Sequence, residues 1–179
     1  MMKSRVIYLF LLTSVLLACA GPEARKPIVR KTSSFMNESI ERNKVLNNLE
    51  LKLLEARMQR ASLSVYNNSS QGFWYKYLVQ MEDKSVLPET GDVVLFEHQI
   101  KDLRDSIVYS KEELGVKSYL VDKEEMISGL QDGIKLMAEG EEVEFLFPSH
   151  KAYGYLGNER IEANQPLIYE VKLLKITKE

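Results

Sequence analysis

The segment 140–154, which reads GEEVEFLFPSHKAYG, decides the fold prediction because it contains a strand, the end of that strand and an aromatic turn. Apolar side chains stand at alternating positions: Val143, Phe145 and Phe147. This period of two predicts a strand with one apolar face. Pro148 ends the strand, since proline has no backbone N–H to give to a sheet. Tyr153 then precedes Gly154 in a loop, where it is either part of an ordinary turn or a hydroxyl group directed at a ligand from beside the sheet.

The flanking residues predict further strands and a single short helix. Strand patterns cover 73–81, 92–103, 106–111, 118–121 and 167–173. The second and third of these flank a short turn and predict a hairpin. One helical face gathers Met126, Ile127, Leu130, Ile134 and Met137, and Gly140 stands where a helix stop is expected. Strands, one short helix and more strands predict an α+β domain with an antiparallel sheet and the helix against one face.

The first residues predict a signal peptide over 1–18 rather than a part of the fold. A short basic stretch precedes an apolar run from Val6 to Leu17, which is too short to span a bilayer comfortably. The run ends in LLAC, and Cys19 is the only cysteine of the chain. This ending resembles the lipobox of bacterial lipoproteins. The resemblance implies acylation of Cys19 and anchoring in a lipid bilayer, with a polar tether over 19–36. A plain secretory signal or an uncleaved anchor is the alternative.

A long helix is predicted between the tether and the strands, over 37–66, with Asn37 or Ser39 as its cap. Its apolar residues form two stripes. The first stripe is Leu51, Leu54, Met58, Ala61 and Val65, and the second is Leu46, Leu49 and Leu53. Two stripes bury more of a helix than one packing partner needs. The helix therefore either docks on its own domain alone or also pairs with another subunit, as in a homodimer.

The charge and the reactive side chains exclude several function classes. The formal charge is −2 and falls further once cleavage removes the basic stretch, so the chain has no electrostatic footprint for nucleic acid. Its two histidines, His98 in a predicted strand and His150 in a predicted loop, belong to no paired metal-ligand motif. We therefore expect no metal, no cofactor and no conventional nucleophile.

The motifs between about residue 91 and residue 175 occur in a specific order. They are Gly91-Asp92-Val93-Val94, Met126-Ile127-Ser128-Gly129-Leu130, Phe147-Pro148, Ala152-Tyr153-Gly154, Ile161 and Leu167-Ile168-Tyr169. This order resembles the FKBP-type peptidyl-prolyl isomerases. The resemblance implies a bent antiparallel sheet wrapped around one short helix, here over 73–179 with an extra N-terminal helix. The lipobox, the helix, the stretch GFWYKY and the short domain together are most similar to FKBP-type lipoproteins associated with gliding motility.

The same resemblance implies which residues act. The hydroxyl of Tyr153 would donate to a carbonyl of the bound peptide, and the backbone N–H of Ile127 would bind the carbonyl on the other side of the proline ring. The remaining substrate-binding positions are His98, Val108, Tyr109, Met126, Leu130, Ile161 and Tyr169. For four of these, simple core packing is the alternative interpretation: Val108, Met126, Leu130 and Tyr169.

An apolar pocket is enough for this chemistry. Rotation about an amide costs about 18–20 kcal/mol because resonance gives the C–N bond partial double-bond character. At the twisted transition state that resonance is lost, together with much of the charge on the carbonyl oxygen. A dry pocket therefore destabilises the planar ground state relative to the twisted state.

Several positions depart from the family pattern. In this chain His98 replaces the tyrosine of the family pattern and Tyr109 replaces its aspartate. Val108 replaces a larger aromatic residue, and Leu130 replaces a tryptophan. The loss of the tyrosine and the aspartate removes two polar contacts, so weak turnover is expected. The sequence thus predicts a lipid-anchored, periplasm-facing isomerase of the cell envelope that acts on proline-containing polypeptides. A non-catalytic chaperone or a structural subunit of an envelope complex is the alternative.

Overall fold

The structure is a computed structural model that describes residues 32–60, 65–82 and 86–179. The predicted signal peptide and the predicted acylation site, Cys19, lie outside these residues. The chain divides into two compact units, residues 1–38 and residues 39–179. Residues 32–38 of the first unit form the start of a helix. The second unit holds the rest of that helix and the sheet.

The elements include the predicted strands and the predicted short helix, here Ser128–Ile134, together with a four-residue helix, Lys111–Leu114, that was not predicted, and the α+β class is confirmed. In chain order they are α1 (Thr32–Arg60), β1 (Asn67–Asn68), β2 (Trp74–Val79), β3 (Val93–Lys101), β4 (Ile107–Tyr109), α2 (Lys111–Leu114), β5 (Lys117–Leu120), α3 (Ser128–Ile134), β6 (Glu142–Phe147), a 3₁₀ turn (Ser149–Lys151) and β7 (Leu167–Thr177).

The strands form one antiparallel sheet in the order β1-β2-β6-β7-β3-β4, and β5 pairs with β3. The central pairing joins β3 and β7, with Ile100 opposite Tyr169 and His98 opposite Val171. His98 and Tyr169 are therefore diagonal neighbours on one face, where side chains of this size reach each other. The predicted hairpin is present as β3 and β4, although β4 is shorter than the predicted 106–111.

Helix α3 packs so closely on the sheet that two of its positions require glycine. A Cβ at Gly129 would lie 2.6 Å from Cδ1 of Phe147, and a Cβ at Gly133 would lie 2.9 Å from Cε1 of Phe145. Both distances are shorter than carbon atoms tolerate, so only glycine lets the helix approach. The buried residues of this face form one cluster that includes Leu130 and Ile134 of α3 and Phe145, Phe147 and Tyr169 of the sheet.

Helix α1 packs on the opposite face of the sheet. Leu54 forms a second buried cluster with Leu146 and Ile168. A hydrogen-bonded ion pair of 2.8 Å from the Arg57 guanidinium to the Asp105 carboxylate ties the helix to the β3–β4 turn. The sheet is thus covered on both faces, which explains why Leu146 is apolar on the face away from α3.

Three sequence-based predictions about α1 need correction. The helix includes Thr32 to Met36, within the range predicted as a tether, rather than starting at Asn37 or Ser39, and no proline or glycine between Thr32 and Arg60 interrupts it. The first predicted stripe is only partly right: Leu54 and Met58 pack inward, but Leu51 is 40% exposed and Val65 is 88% exposed. The buried face also includes Glu50 and Arg57, two charged side chains that the predicted apolar stripes leave out.

Smaller differences concern α3 and the loops. Helix α3 ends at Ile134, earlier than the predicted face, because the amides of Leu136 and Met137 bond to carbonyls three residues back and tighten the chain into a turn. The loop predicted over 66–72 contains the short strand β1. His150 lies in a 3₁₀ turn rather than an open loop.

Candidate functional site

Apart from His98 on β3, the predicted binding residues come from six different parts of the fold and meet in one cluster. Val108 and Tyr109 lie on β4, Leu130 on α3 and Tyr169 on β7. The other members, from segments between regular strands, are Met126, Ile127, Tyr153 and Ile161. The outermost of these residues, Val108 and Tyr169, are separated by about a third of the chain and yet pack in one cluster, which favours a shared role over independent turns.

Burial within this cluster is graded. Leu130, Ile161 and Tyr169 are 2%, 3% and 1% exposed, whereas the other members are half-buried. The three buried residues form an apolar base, and the half-buried residues border it, so part of this apolar cluster is accessible to a ligand. We call this set the apolar recess: the floor is Leu130, Ile161 and Tyr169, and the walls are Val108, Met126, Ile127 and Tyr153.

Tyr153 faces the floor of the apolar recess and not solvent alone. The Tyr169 hydroxyl donates to the Tyr153 hydroxyl over 3.4 Å. Burial raises the pKa of the Tyr169 phenol, and the neighbouring Tyr153 raises it further, so the Tyr169 hydroxyl keeps the proton that it donates. A hydroxyl that accepts one hydrogen bond still has its own proton to donate. Tyr153 therefore presents a donor above an apolar surface.

Backbone hydrogen bonds fix the loop around Tyr153. The amide of Gly154 donates to the Ser149 carbonyl over 2.8 Å, and the amide of Asn164 donates to the Gly154 carbonyl over 2.8 Å. Gly154 has a φ of 60°, which favours glycine over other residues. The sequence signal that Tyr153 precedes a glycine thus reflects a left-handed residue that turns the chain directly after the phenol.

Ile127 lies at the start of α3. It is the N-cap residue, and its carbonyl accepts from the amides of Leu130 and Gln131 at 3.0 and 3.1 Å. The amide of an N-cap residue is outside the hydrogen bonds of its own helix. The positive end of the helix dipole adds to its attraction for a carbonyl oxygen, although α3 is short. Ile127 can therefore supply both an apolar side chain and a backbone donor.

His98 supports the floor from the adjacent strand. Its ring stacks on Tyr169 with 5.8 Å between ring centroids and 7° between planes. Desolvation, with a smaller contribution from the charge of Lys117, lowers the pKa of His98 to about 4, so the ring is neutral at pH 7. Among the described residues its buried Nδ1 has no hydrogen-bond partner. His98 thus acts as a flat aromatic surface.

A charged rim that the sequence analysis did not anticipate surrounds Tyr109. The Arg160 guanidinium lies 4.7 Å from the centre of the Tyr109 ring, a cation–π contact. Arg160 also donates to the Val108 carbonyl over 3.3 Å and pairs with Glu113 at 2.8 Å. The hydrogen bond to Glu113 raises the pKa of Arg160. These partners lie about 50 positions apart in the chain, so spacing alone could not reveal them.

A groove of about 690 Å³ adjoins the apolar recess and shares Val108 with it. Its lining comes from α1, from the β3–β4 turn and from the loop that follows Arg160. The residues include Leu53, Ala56, Leu103, Arg104, Arg160 and Pro166. The groove offers mixed apolar and cationic surface next to the walls of the recess.

The described residues include neither a cluster of metal ligands nor a helix that could span a membrane. No group of three or more histidine, cysteine, aspartate or glutamate side chains there is placed to hold a metal ion. No helix in the same part of the chain is long and apolar enough to cross a membrane.

A protein-family model matches the part of the chain that forms this site. The family model for FKBP-type peptidyl-prolyl cis-trans isomerases matches residues 84–174, just over half of the chain. The chain belongs to this family. The matched range contains every residue of the apolar recess, whereas α1 and β2 lie before it.

Relatives of the same family cover a larger part of the chain. FkpA of Aeromonas hydrophila, an FKBP-type peptidyl-prolyl cis-trans isomerase, is 26% identical over 165 residues, which cover 83% of this chain and 60% of that protein. A probable FkpA of Neisseria meningitidis serogroup B is 29% identical over 119 residues, which cover 66% of this chain and 43% of that protein. The chain thus spans about half the length of these curated relatives.

Solved structures show the same fold. FkpA from Escherichia coli superposes with a TM-score of 0.61 at 21% identity and covers 95% of this chain and 81% of its own. A peptidyl-prolyl cis-trans isomerase from Pseudomonas syringae pv. tomato gives a TM-score of 0.58 at 19% identity and covers 73% and 96%. The expected FKBP-like sheet and helix, with an added N-terminal helix, are therefore confirmed as the fold.

Proposed function

We propose that this chain catalyses cis–trans isomerisation of peptide bonds that precede proline, with the apolar recess as its active site. The observation that carries the proposal is the hydrogen bond between the Tyr169 and Tyr153 hydroxyls, because it directs the Tyr153 phenol over the buried floor. Membership of the FKBP-type family supports the same reaction. Proline-containing polypeptides are then the substrates.

The floor and the walls would act on different parts of the substrate. The proline ring packs on Leu130, Ile161 and Tyr169, which exclude water from it. Removal of water destabilises the planar imide, in which the carbonyl oxygen carries more charge, relative to the twisted form. The reaction then needs neither a nucleophile nor a proton transfer to the substrate.

The two donors would hold the peptide on both sides of the ring. The Tyr153 hydroxyl donates to one carbonyl and the Ile127 amide to the other. Fixing both carbonyls while the bond between them rotates favours the twisted geometry. The hydrogen bond that Tyr153 accepts from Tyr169 strengthens its own donation, because linked hydroxyl groups polarise one another.

His98 and Tyr109 would contribute shape more than hydrogen bonds. The neutral ring of His98 is stacked on the floor, and the ring of Tyr109 is covered by Arg160. Polypeptide on one side of the proline would extend past Val108 into the adjoining groove, which offers about 690 Å³. We expect turnover to be modest, because neither residue supplies the polar contact that the family pattern has at its position.

A protease-coupled isomerisation assay on residues 20–179 tests the proposal. We expect acceleration of cis–trans exchange in a proline peptide above the uncatalysed rate, which has a time constant of tens to hundreds of seconds. Tyr153→Phe and Ile161→Ala should each reduce that acceleration, because one loses the donor and the other opens the floor. Exchange at the buffer rate by the unmodified chain would refute the proposal.

We further propose that the protein works at the cell envelope, anchored through acylated Cys19 and facing the periplasm. The support is the apolar run that ends in LLAC, followed by a polar segment. Assistance to envelope proteins, including those of gliding motility, is the corresponding role. Metabolic labelling with a fatty acid analogue would incorporate label in the full chain and none in Cys19→Ser.

The exposed apolar stripe of α1 supports homodimer formation. As a second candidate function, the same stripe would bind unfolded proteins, as a chaperone does. Leu46, Leu49 and Leu53 are 37%, 54% and 55% exposed although they follow one helical line. A second copy of this helix is the partner we propose, because the three-and-four spacing is that of paired helices. If instead the stripe binds clients, the chain would suppress aggregation of a proline-free protein independently of Tyr153.

A further inference from the structure

A buried carboxylate connects helix α1 to the loop that carries Tyr153. Glu50 and Ser149 are 7% and 4% exposed. Glu50 accepts hydrogen bonds from the backbone amide of Ser149 and from its hydroxyl, the latter at 3.0 Å. A carboxylate is costly to remove from water unless donors replace the water, and Ser149 supplies two donors. The contact joins positions 99 residues apart.

Glu50 supplies a cap that the local sequence lacks. The 3₁₀ turn Ser149–Lys151 is preceded by Pro148, and its N-terminus has no side-chain cap of its own. The first amides of a helical turn have no partner within it and need an acceptor from elsewhere. Glu50 provides that acceptor from α1. The start of the turn is therefore fixed from outside the loop.

The same serine anchors the residues on either side of Tyr153. The Ser149 carbonyl accepts from the amides of Ala152 and Gly154, at 2.9 and 2.8 Å. The Ser149 amide is held by Glu50, and its carbonyl in turn holds the two neighbours of Tyr153. A continuous set of hydrogen bonds thus runs from α1 to the backbone that positions the phenol.

We propose that Glu50 is a positioning residue for Tyr153 in the isomerase reaction, acting through Ser149. The inference rests on the proposed function of the apolar recess. Glu50 lies outside the range 84–174 that the family model matches. In this chain the active-site loop would then depend on a helix that the matched domain does not include.

Kinetics of the full chain separate positioning from binding. Glu50 does not line the floor on which the proline ring packs, so Glu50→Ala should leave KM within about twofold. It should lower kcat about tenfold, because the Tyr153 donor is used mainly in the twisted state. Glu50→Gln keeps an oxygen that accepts from Ser149 and should recover most of kcat. Glu55→Ala, at an exposed position of the same helix, is the matched control and should behave as the unmodified chain.

A double variant gives a readout that general destabilisation would not produce. If Glu50 acts by placing the Tyr153 hydroxyl, Glu50→Ala should have little further effect in a Tyr153→Phe background. Hydrogen exchange should also show faster exchange of the Ala152 and Gly154 amides in Glu50→Ala, with other amides of the sheet unchanged.

The outcomes distinguish this inference from the function on which it rests. An active unmodified chain with unchanged kcat in Glu50→Ala, or with equal losses in both backgrounds, overturns the positioning role alone. An inactive unmodified chain overturns the isomerase assignment and the positioning role with it. The expected result is a loss of kcat in Glu50→Ala that Glu50→Gln restores and that does not occur in the Tyr153→Phe background. This result supports both the isomerase assignment and the positioning role of Glu50.

Discussion

The hydroxyl of Tyr169, on a central strand, donates to the hydroxyl of Tyr153, in a loop, over 3.4 Å. Tyr169 is buried and Tyr153 is half-buried, so the bond connects the floor of the apolar recess to its wall. A phenylalanine at position 169 would leave the Tyr153 phenol without this partner. The hydrogen bond between the two hydroxyls therefore fixes the direction in which the Tyr153 phenol points.

Tyr153→Phe should lower kcat/KM about tenfold, since one hydrogen bond made in the transition state is worth roughly 1–1.5 kcal/mol. The substitution also removes the acceptor of the Tyr169 hydroxyl, so the free energy of unfolding should fall by about 1 kcal/mol. Isomerisation kinetics and urea unfolding measure the two effects. Tyr155→Phe is the matched control because Tyr155 is 77% exposed. Equal activity of both variants would contradict the role of the Tyr153 hydroxyl.

His98 should make the fold sensitive to acid. Its pKa in the folded chain is about 4, below the ordinary value of 6.5, because burial disfavours the charged ring. The unfolded chain takes up a proton near pH 6.5 and the folded chain only near pH 4, so stability falls as pH falls between these values. The loss attributable to His98 should reach about 3 kcal/mol near pH 4.

The experiment for His98 compares urea unfolding at several pH values between 7 and 4. His98→Phe keeps an aromatic ring and should have a shallower decline in stability than the unmodified chain. His150→Gln should keep the full decline, because His150 is exposed. Parallel curves for the unmodified chain and His98→Phe would show that His98 does not account for the acid sensitivity.

Gly129→Ala should destabilise the domain by about 1–3 kcal/mol, the usual cost of overpacking a core. The added Cβ would lie 2.6 Å from the Phe147 ring and 2.9 Å from the Lys151 carbonyl oxygen, and neither can move freely. Thermal or urea unfolding measures the change. Ser128→Ala, at an exposed position at the start of the same helix, should change stability by less than about 0.5 kcal/mol. A Gly129→Ala variant as stable as Ser128→Ala would refute the close approach.

Leu49→Glu combined with Leu53→Glu should convert the proposed dimer into a monomer. Both side chains are more than half exposed in the single chain, so the charges should not disturb its own fold. Light scattering would report the halved mass, with circular dichroism to verify the fold. Lys52→Glu changes the net charge by the same amount on the same helix and should leave the mass unaltered. If the unmodified protein has the molecular mass of one chain, self-association through α1 is ruled out.

Much of the fold could be predicted because hydrophobic periodicity follows from burial. The alternating apolar residues of β6 face α3, and the single helical stripe around Leu130 faces the sheet, as expected. Helix α1 was harder. Its inward face carries Glu50 and Arg57, and charged residues are normally assigned to solvent. The positions of Ser149, Asp105 and Glu144, far away in the chain, explain why those charges are buried.

The same reasoning applies to the candidate site. Tyr153 was identifiable because its glycine neighbour signals a turn, and the recess residues because their order resembles a family. The contact between Arg160 and Tyr109 could not be predicted, because a lone arginine in a loop belongs to no periodic pattern. The neutral state of His98 was also hidden, because it depends on burial beside Tyr169 and not on neighbouring letters in the sequence.

Strand β2 lies before the range that the family model matches, yet it pairs along β6 from Trp74 to Val79. A chain cut at residue 84 would leave that side of β6 uncovered, and it would also lose Phe73, whose ring contacts Phe145 and Phe147. An uncovered apolar strand invites pairing with other chains. Strand β2 is synthesised before β6, so each nascent chain already contains the strand that covers β6 and prevents intermolecular aggregation there.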